Sequence, residues 1–198
     1  MRTAYIGMGG NLASRAGRPE ATLAAAALRL DSLGKLVCRS SLYSTAPVGF
    51  AEQPRFVNAV VALETALGPR ELLDELLAIE QEFGRDRAAS IANGPRTLDL
   101  DLLLLGDLVI DEPELTIPHP RLAERTFVLV PLNEIAPQAL DSRSGKTVSQ
   151  WLQSLRQNDE GETDAVVPIQ SDGWRAGACC GDAHSAADLR TVACHSHN

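Results

Sequence analysis

A chain of 198 residues that is 44% hydrophobic can build one domain with a real core, and it leaves room for an appendage. Its net charge of −8, from 26 acidic and 18 basic residues, argues against a nucleic-acid binder, which needs a basic face. The apolar runs are too short to span a membrane, and "MRTAYIGMGGN" lacks the apolar core of a secretory signal, so a cytoplasmic protein with no membrane partner is expected.

Taken in chain order, residues 3–8 read as a short buried strand, and "GGN" after them as a turn. "PEATLAAAALRLDSLG" (19–34) is a helix with Pro19 in its first turn and Gly34 at its end. "LVCRSSLYST" (36–45) reads as extended, and "RFVNAVVALET" (55–65) as a β-rich strand beyond the loop "APVGFAEQP". In "PRELLDELLAIEQEFG" (69–84), Leu72, Leu76, Ile79 and Phe83 recur at helical spacing between Pro69 and Gly84. After the polar loop "RDRAASIANGP", "RTLDLDLLLLG" and "LVIDE" suggest a hairpin turning at Gly106-Asp107. "PHPRLAERTFVLVPLNEIAP" mixes proline breaks with short helices, and residues 146–157 form a closing helix. This order gives an α+β fold with a largely antiparallel sheet.

From about residue 158 the character changes. Residues 158–198 hold seven acids against two arginines and have no sustained periodicity. The expected organisation is a domain over 1–157 and an acidic, disordered tail over 158–198. Three of the four cysteines (Cys179, Cys180, Cys194) lie in this tail, so no disulfide framework organises the main body. His184, His195 and His197 share the tail with them, but without a C-x-x-C pair the default reading is an appendage and not a zinc site.

The stretch "GPRTLDLDLLLLG" (94–106) carries the chemistry. Strand side chains alternate, so Asp99 and Asp101 share one face while Leu98, Leu100 and Leu102 share the other. Two adjacent carboxylates repel, and a hard divalent cation relieves that repulsion. Mg2+ takes one or two carboxylates together with substrate phosphates. Arg85, Arg87 and Arg96 flank the entry to this strand, and arginine matches phosphate geometry. By itself a D-x-D is as often a solvated strand face. "IGMGGNL" fails as a dinucleotide fingerprint at Leu12, and "SGKT" (144–147) fails as a P-loop at Leu140.

Four blocks in order resemble the 6-hydroxymethyl-7,8-dihydropterin pyrophosphokinase family of folate biosynthesis: "YIGMGGNL" (5–12), "SSLYSTAPVGFAEQPRFVNAVVALET" (40–65), "GPRTLDLDLLLLG" (94–106) and "LTIPHPRLAERTFVLVPLNEIAP" (115–137). The resemblance covers about residues 3–157. It implies a ferredoxin-like α/β sandwich whose sheet is flanked by helices. It also implies transfer of the β,γ-diphosphate of ATP to the pterin hydroxymethyl group, with AMP released. On this sequence it makes Asp99 and Asp101 the holders of two Mg2+ ions, and Arg85 and Arg96 the catalytic arginines. Phe56, Phe127, Asn58, Thr45, Ala46, Pro47 and Val48 would bind the pterin. Glu80, Arg87, Leu102, Thr116, His119 and Arg125 would bind ATP, with His119 a donor and not a general base. Segments 46–55 and 85–96 would order over both substrates. The resemblance implies ATP and the pterin as small-molecule partners, and a monomer is expected.

Two positions depart from the family pattern. Gly10 stands where serine is usual, and Asn93 stands where an aromatic residue is common. The loss of a hydroxyl at position 10 should leave the turn intact. The main rivals are a degenerate domain that binds nucleotide or pterin as a partner module, and a different Mg2+-dependent transferase built on the same D-x-D.

Overall fold

The computed structural model describes residues 1–47, 52–87, 94–158 and 166–177. Its central sheet is antiparallel throughout. The sheet uses β1 (Arg2–Gly10), β2 (Lys35–Arg39), β3 (Leu42–Thr45), β4 (Phe56–Thr65), β5 (Asp99–Leu105) and β10 (Val167–Ile169). The strand order is β10-β3-β4-β1-β5, with β2 pairing the far half of β4. Two small hairpins lie outside it: β6 (Ile110–Glu112) with β7 (Leu115–Ile117), and β8 (Leu140–Asp141) with β9 (Lys146–Thr147).

The leucine alternation divides the core as the sequence requires. Leu98, Leu100 and Leu102 join Ile6, Met8, Ala59 and Val61 under α1 (Pro19–Leu30) and α2 (Pro69–Glu82). On the opposite face, Val60 and Leu103 meet Val128, Leu129 and Leu132 of α3 (Thr126–Ile135) and Leu152 of α4 (Val148–Asn158). Burying these aliphatic side chains contributes about 1.5–3 kcal/mol each, before chain entropy opposes it. The α+β sandwich expected from the sequence is present.

Several local expectations change. Gly9 and Gly10 continue β1 and do not turn, because both pair with β4, opposite Asn58 and Val57. A Cβ on Gly10 would lie 2.4 Å from the Thr97 carbonyl oxygen, so at this point the strand runs hard against the segment that enters β5. The extended stretch 36–45 is two strands, broken at Ser40-Ser41. The chain does turn at Gly106-Asp107, where Gly106 has a φ of 55°. It makes no β5–β6 hairpin there: β5 pairs with β1, and β6 pairs with β7. Composition marked the turn correctly, but the leucines of β5 gain more by pairing in the central sheet.

The tail also departs from the expectation of disorder. Residues 167–169 pair with β3, and Trp174 is buried. Cys38 is disulfide-bonded, and the other three cysteines lie outside the described residues.

Candidate active site

The site begins with the register of three strands. Gly9 of β1 lies opposite Asn58 on β4 and opposite Asp99 on β5, while Gly7 lies opposite Asp101. All of these side-chain positions face the α3 side of the sheet. Neighbouring strands are ~4.8 Å apart, so β4 and β5 face each other across about 10 Å of side-chain-free floor. A Cβ on Gly9 would lie 2.8 Å from Oδ1 of Asn58. Glycine there gives the asparagine its room and leaves a trough leading from Asn58 to the aspartates. The cavity over this floor is lined by Phe56, Asn58 and Thr45 at one end, by Asp99, Asp101 and Arg96 at the other, and by Phe127 and Arg125 from α3 and its approach.

Each aspartate is held by arginine. Asp99 accepts hydrogen bonds from Arg85 Nη1 through Oδ1 and from Arg96 Nη1, at 2.9 Å, through Oδ2. Asp101 Oδ2 accepts from Arg125 Nη1 at 2.9 Å, and its other oxygen is 4.0 Å from His119 Nε2. Arg85 also donates to the Leu98 carbonyl, at 2.9 Å. The buried Nε atoms of Arg85 and Arg96 have no hydrogen-bond acceptor among the described residues. Buried donors left over in this way are what an incoming phosphate oxygen satisfies. Among the described residues no cluster of three or more His, Cys, Asp and Glu side chains could hold a metal. The protein offers two carboxylates, which suits Mg2+ that takes its remaining oxygens from phosphates and water.

The other end is apolar and hydrogen-bonding. Phe56 opens β4, and the Arg96 guanidinium carbon lies 5.1 Å from its ring centroid. Phe127 stands in the first turn of α3, with the Arg125 guanidinium carbon 5.8 Å from its ring. Asn58 is buried and donates to Thr45 Oγ1 at 2.7 Å, which fixes the orientation of its amide. Ala46 lines the cavity and Pro47 follows it. Val48 lies outside the described residues, as do 49–51 and 88–93 of the two segments expected to order over substrate.

The residues expected to bind nucleotide divide into two groups. Arg125 reaches the cavity and His119 approaches Asp101. Burial pushes the His119 pKa down, against the pull of Asp101. Its Nδ1 accepts from the Arg121 amide at 3.1 Å, so the neutral ring keeps a proton on Nε2, toward Asp101. Glu80 instead points inward. It is 1% exposed, accepts from Arg87 through both oxygens (2.8 and 2.9 Å), and accepts from the Leu100 amide at 2.8 Å. Burial raises its pKa, while the Leu100 N–H, Arg85 and Arg87 work against that rise. Leu102 is packed in the core, and Thr116 lies in the β6–β7 hairpin. Neither Leu102 nor Thr116 lines the cavity. Sequence reasoning missed Gly9 and Arg121, both of which do. Arg121 was visible inside the H-P-R of its block, and the spacing of "GMGG" offered Gly9.

Comparison with known proteins agrees with this geometry. Residues 5–137 match the family model for 7,8-dihydro-6-hydroxymethylpterin-pyrophosphokinase (HPPK). The chain belongs to the HPPK family. It is 44% identical over 166 residues to a Synechocystis protein named 2-amino-4-hydroxy-6-hydroxymethyldihydropteridine pyrophosphokinase, covering 84% of this chain and 80% of that one. A Pseudomonas aeruginosa protein of the same name is 49% identical over 133 residues, covering 67% of this chain and 80% of its own. The crystal structure of wild-type Plasmodium falciparum HPPK-DHPS superposes with a TM-score of 0.61 at 15% identity, over 82% of this chain and 46% of that one. That likeness shows the HPPK fold, and the present chain spans under half of the larger protein.

Proposed function

We propose that this HPPK-family chain transfers the β,γ-diphosphate of ATP to 6-hydroxymethyl-7,8-dihydropterin, giving AMP and the pterin diphosphate for folate synthesis. The observation that carries this reading is the glycine-floored trough. It joins a flat pocket with a fixed asparagine to two carboxylates ringed by arginines. Phe56 and Phe127 supply aromatic faces for a heterocycle, and Asn58, Thr45 and the backbone of 46–47 supply its edge contacts. Asp99 and Asp101 would hold Mg2+, two ions in this reading, which neutralises triphosphate charge when bound.

Before substrate arrives, Arg85, Arg96 and Arg125 neutralise the two aspartates. When nucleotide binds, these arginines would turn donors from the carboxylates to phosphate oxygens, which would leave Asp99 and Asp101 to hold Mg2+. The pterin hydroxyl oxygen attacks the β-phosphorus, and the bond from that phosphorus to the oxygen of the α-phosphate breaks. AMP leaves with the bonding electrons, and the hydroxyl proton passes to water. Arg85 and Arg96 stabilise the charge that builds on the transferred group, where positioning and electrostatics do most of the catalysis. Glu80 acts behind the site by fixing Arg87 and the start of β5. His119 donates and takes no proton.

The test is ATP with 6-hydroxymethyl-7,8-dihydropterin and Mg2+. AMP is the expected nucleotide product. ADP would mean simple phosphoryl transfer, and no nucleotide product would favour a binding module. Asp99→Ala and Asp101→Ala should each lower kcat by at least ~10³-fold with the fold retained. Full activity in the doubly substituted protein would overturn the mechanism.

A further inference from the structure

Residues 166–177 lie beyond the segment that the family model matches, yet they are built into the sheet. Val167, Pro168 and Ile169 pair with Ser44, Tyr43 and Leu42 along the outer edge of β3. The chain then turns, with the Trp174 amide donating to the Ser171 carbonyl at 3.1 Å. Trp174 enters the core cluster under α1 at 7% exposure, and its indole N–H donates to the Ser40 carbonyl at 2.8 Å. The Arg39 guanidinium carbon lies 5.7 Å from its ring. Gly177 exchanges two backbone hydrogen bonds with Arg39, at 3.0 and 3.4 Å. The segment therefore crosses the outer edge of both β2 and β3 and bridges the break between them at Ser40-Ser41.

β3 needs that support. It is four residues long, and β4 holds only one of its edges. An open edge on a short strand frays readily. The last residue of β3 is Thr45, the group that holds the Asn58 amide. From the α3 side, Glu134 accepts from the Ser41 amide (2.9 Å), the Ser41 hydroxyl (2.8 Å) and the Tyr43 hydroxyl (2.8 Å). Glu134 and the C-terminal segment thus fix β3 from two directions. Asp99 and Asp101 lie on β5, three strands across the sheet from β3, which is roughly 14 Å away.

We propose that residues 166–177 are a strap that sets the pterin end of the site, with Trp174 as its anchor and a positioning residue for pterin but not for ATP. This rests on the reading of Thr45 and Asn58 as pterin contacts. Loosening the anchor lets β3 fray, frees the Asn58 amide to rotate, and weakens pterin binding, while the nucleotide end is left intact.

Calorimetric titration of the full chain with 6-hydroxymethylpterin, and separately with Mg2+ and a non-hydrolysable ATP analogue, tests the strap. Trp174→Ala should raise the pterin Kd at least fivefold and leave the nucleotide Kd within twofold. Trp174→Phe keeps a ring in the core and should restore most of the pterin affinity. Gly177→Pro removes an amide that bonds Arg39 and should give a milder form of the same split, which covers the case of a Trp174→Ala protein that does not fold. Unchanged pterin affinity in a folded Trp174→Ala protein would overturn the strap, as would equal weakening of both ligands in a folded variant. Wild-type chain that takes up nucleotide but no pterin would overturn the site assignment, and the role of the strap with it.

Discussion

Gly9 is the residue on which two functions meet. It pairs with Asn58 on one side and Asp99 on the other, and its missing side chain is the space between them. Gly9→Ala would put a methyl 2.8 Å from Asn58 Oδ1, the far end of a side chain that can move. The fold should therefore survive, with a loss of under about 1.5 kcal/mol, because the asparagine yields before the backbone does. The displaced amide should raise the KM for pterin about tenfold and change the KM for ATP little. Steady-state kinetics with each substrate varied in turn checks this. Equal shifts in both KM values would show that the methyl acts on the whole trough.

At the scale of elements, the α2–β5 contact positions the arginines. Glu80 leaves the last turns of α2 and reaches the Leu100 amide of β5 and the guanidinium of Arg87, with Arg85 Nε 3.6 Å away. Family resemblance gave Glu80 as a nucleotide contact, whereas the structure buries it behind the site. Glu80→Ala leaves the buried Leu100 amide and the Arg87 guanidinium without their acceptor, and removes the carboxylate 3.6 Å from the largely buried Arg85 Nε. We expect about 3 kcal/mol of destabilisation, the usual cost of breaking a buried pair from one side. Urea unfolding measures it. Glu80→Gln, which can still accept from Leu100, should recover part of the loss. A stability change under about 0.5 kcal/mol for the alanine variant would place Glu80 among ordinary surface carboxylates.

The molecule as a whole is acidic, with a net charge of −8, yet Arg96, Arg121 and Arg125 line one cavity and Arg85 donates to Asp99 on its floor. A local positive field inside an acidic protein steers an anionic nucleotide, and salt screens that field over about 10 Å at 0.1 M. Raising ionic strength from about 0.05 to 0.5 M should increase the KM for ATP several-fold. It should leave the KM for the uncharged pterin nearly unchanged. A pterin KM that follows salt as steeply as the ATP value would contradict the division of the trough into a charged end and a neutral end.

By itself the sequence determined the antiparallel α+β sheet, the two long helices α1 and α2, and the facing of Asp99 and Asp101. All of these follow from period-2 and period-3.6 patterns and local caps, which are properties of neighbouring residues. The motif blocks also gave Phe56, Asn58, Phe127, Arg96 and Arg125, each of which the fold brings to one cavity. Only the tertiary structure decided the pairing of β5 with β1, the inward turn of Glu80, the glycine floor, and the seating of residues 166–177 along β3. These depend on strand register and on which sheet edge remains open after folding. A three-residue strand and one buried tryptophan carry too little periodicity to announce their partner across more than a hundred residues of chain.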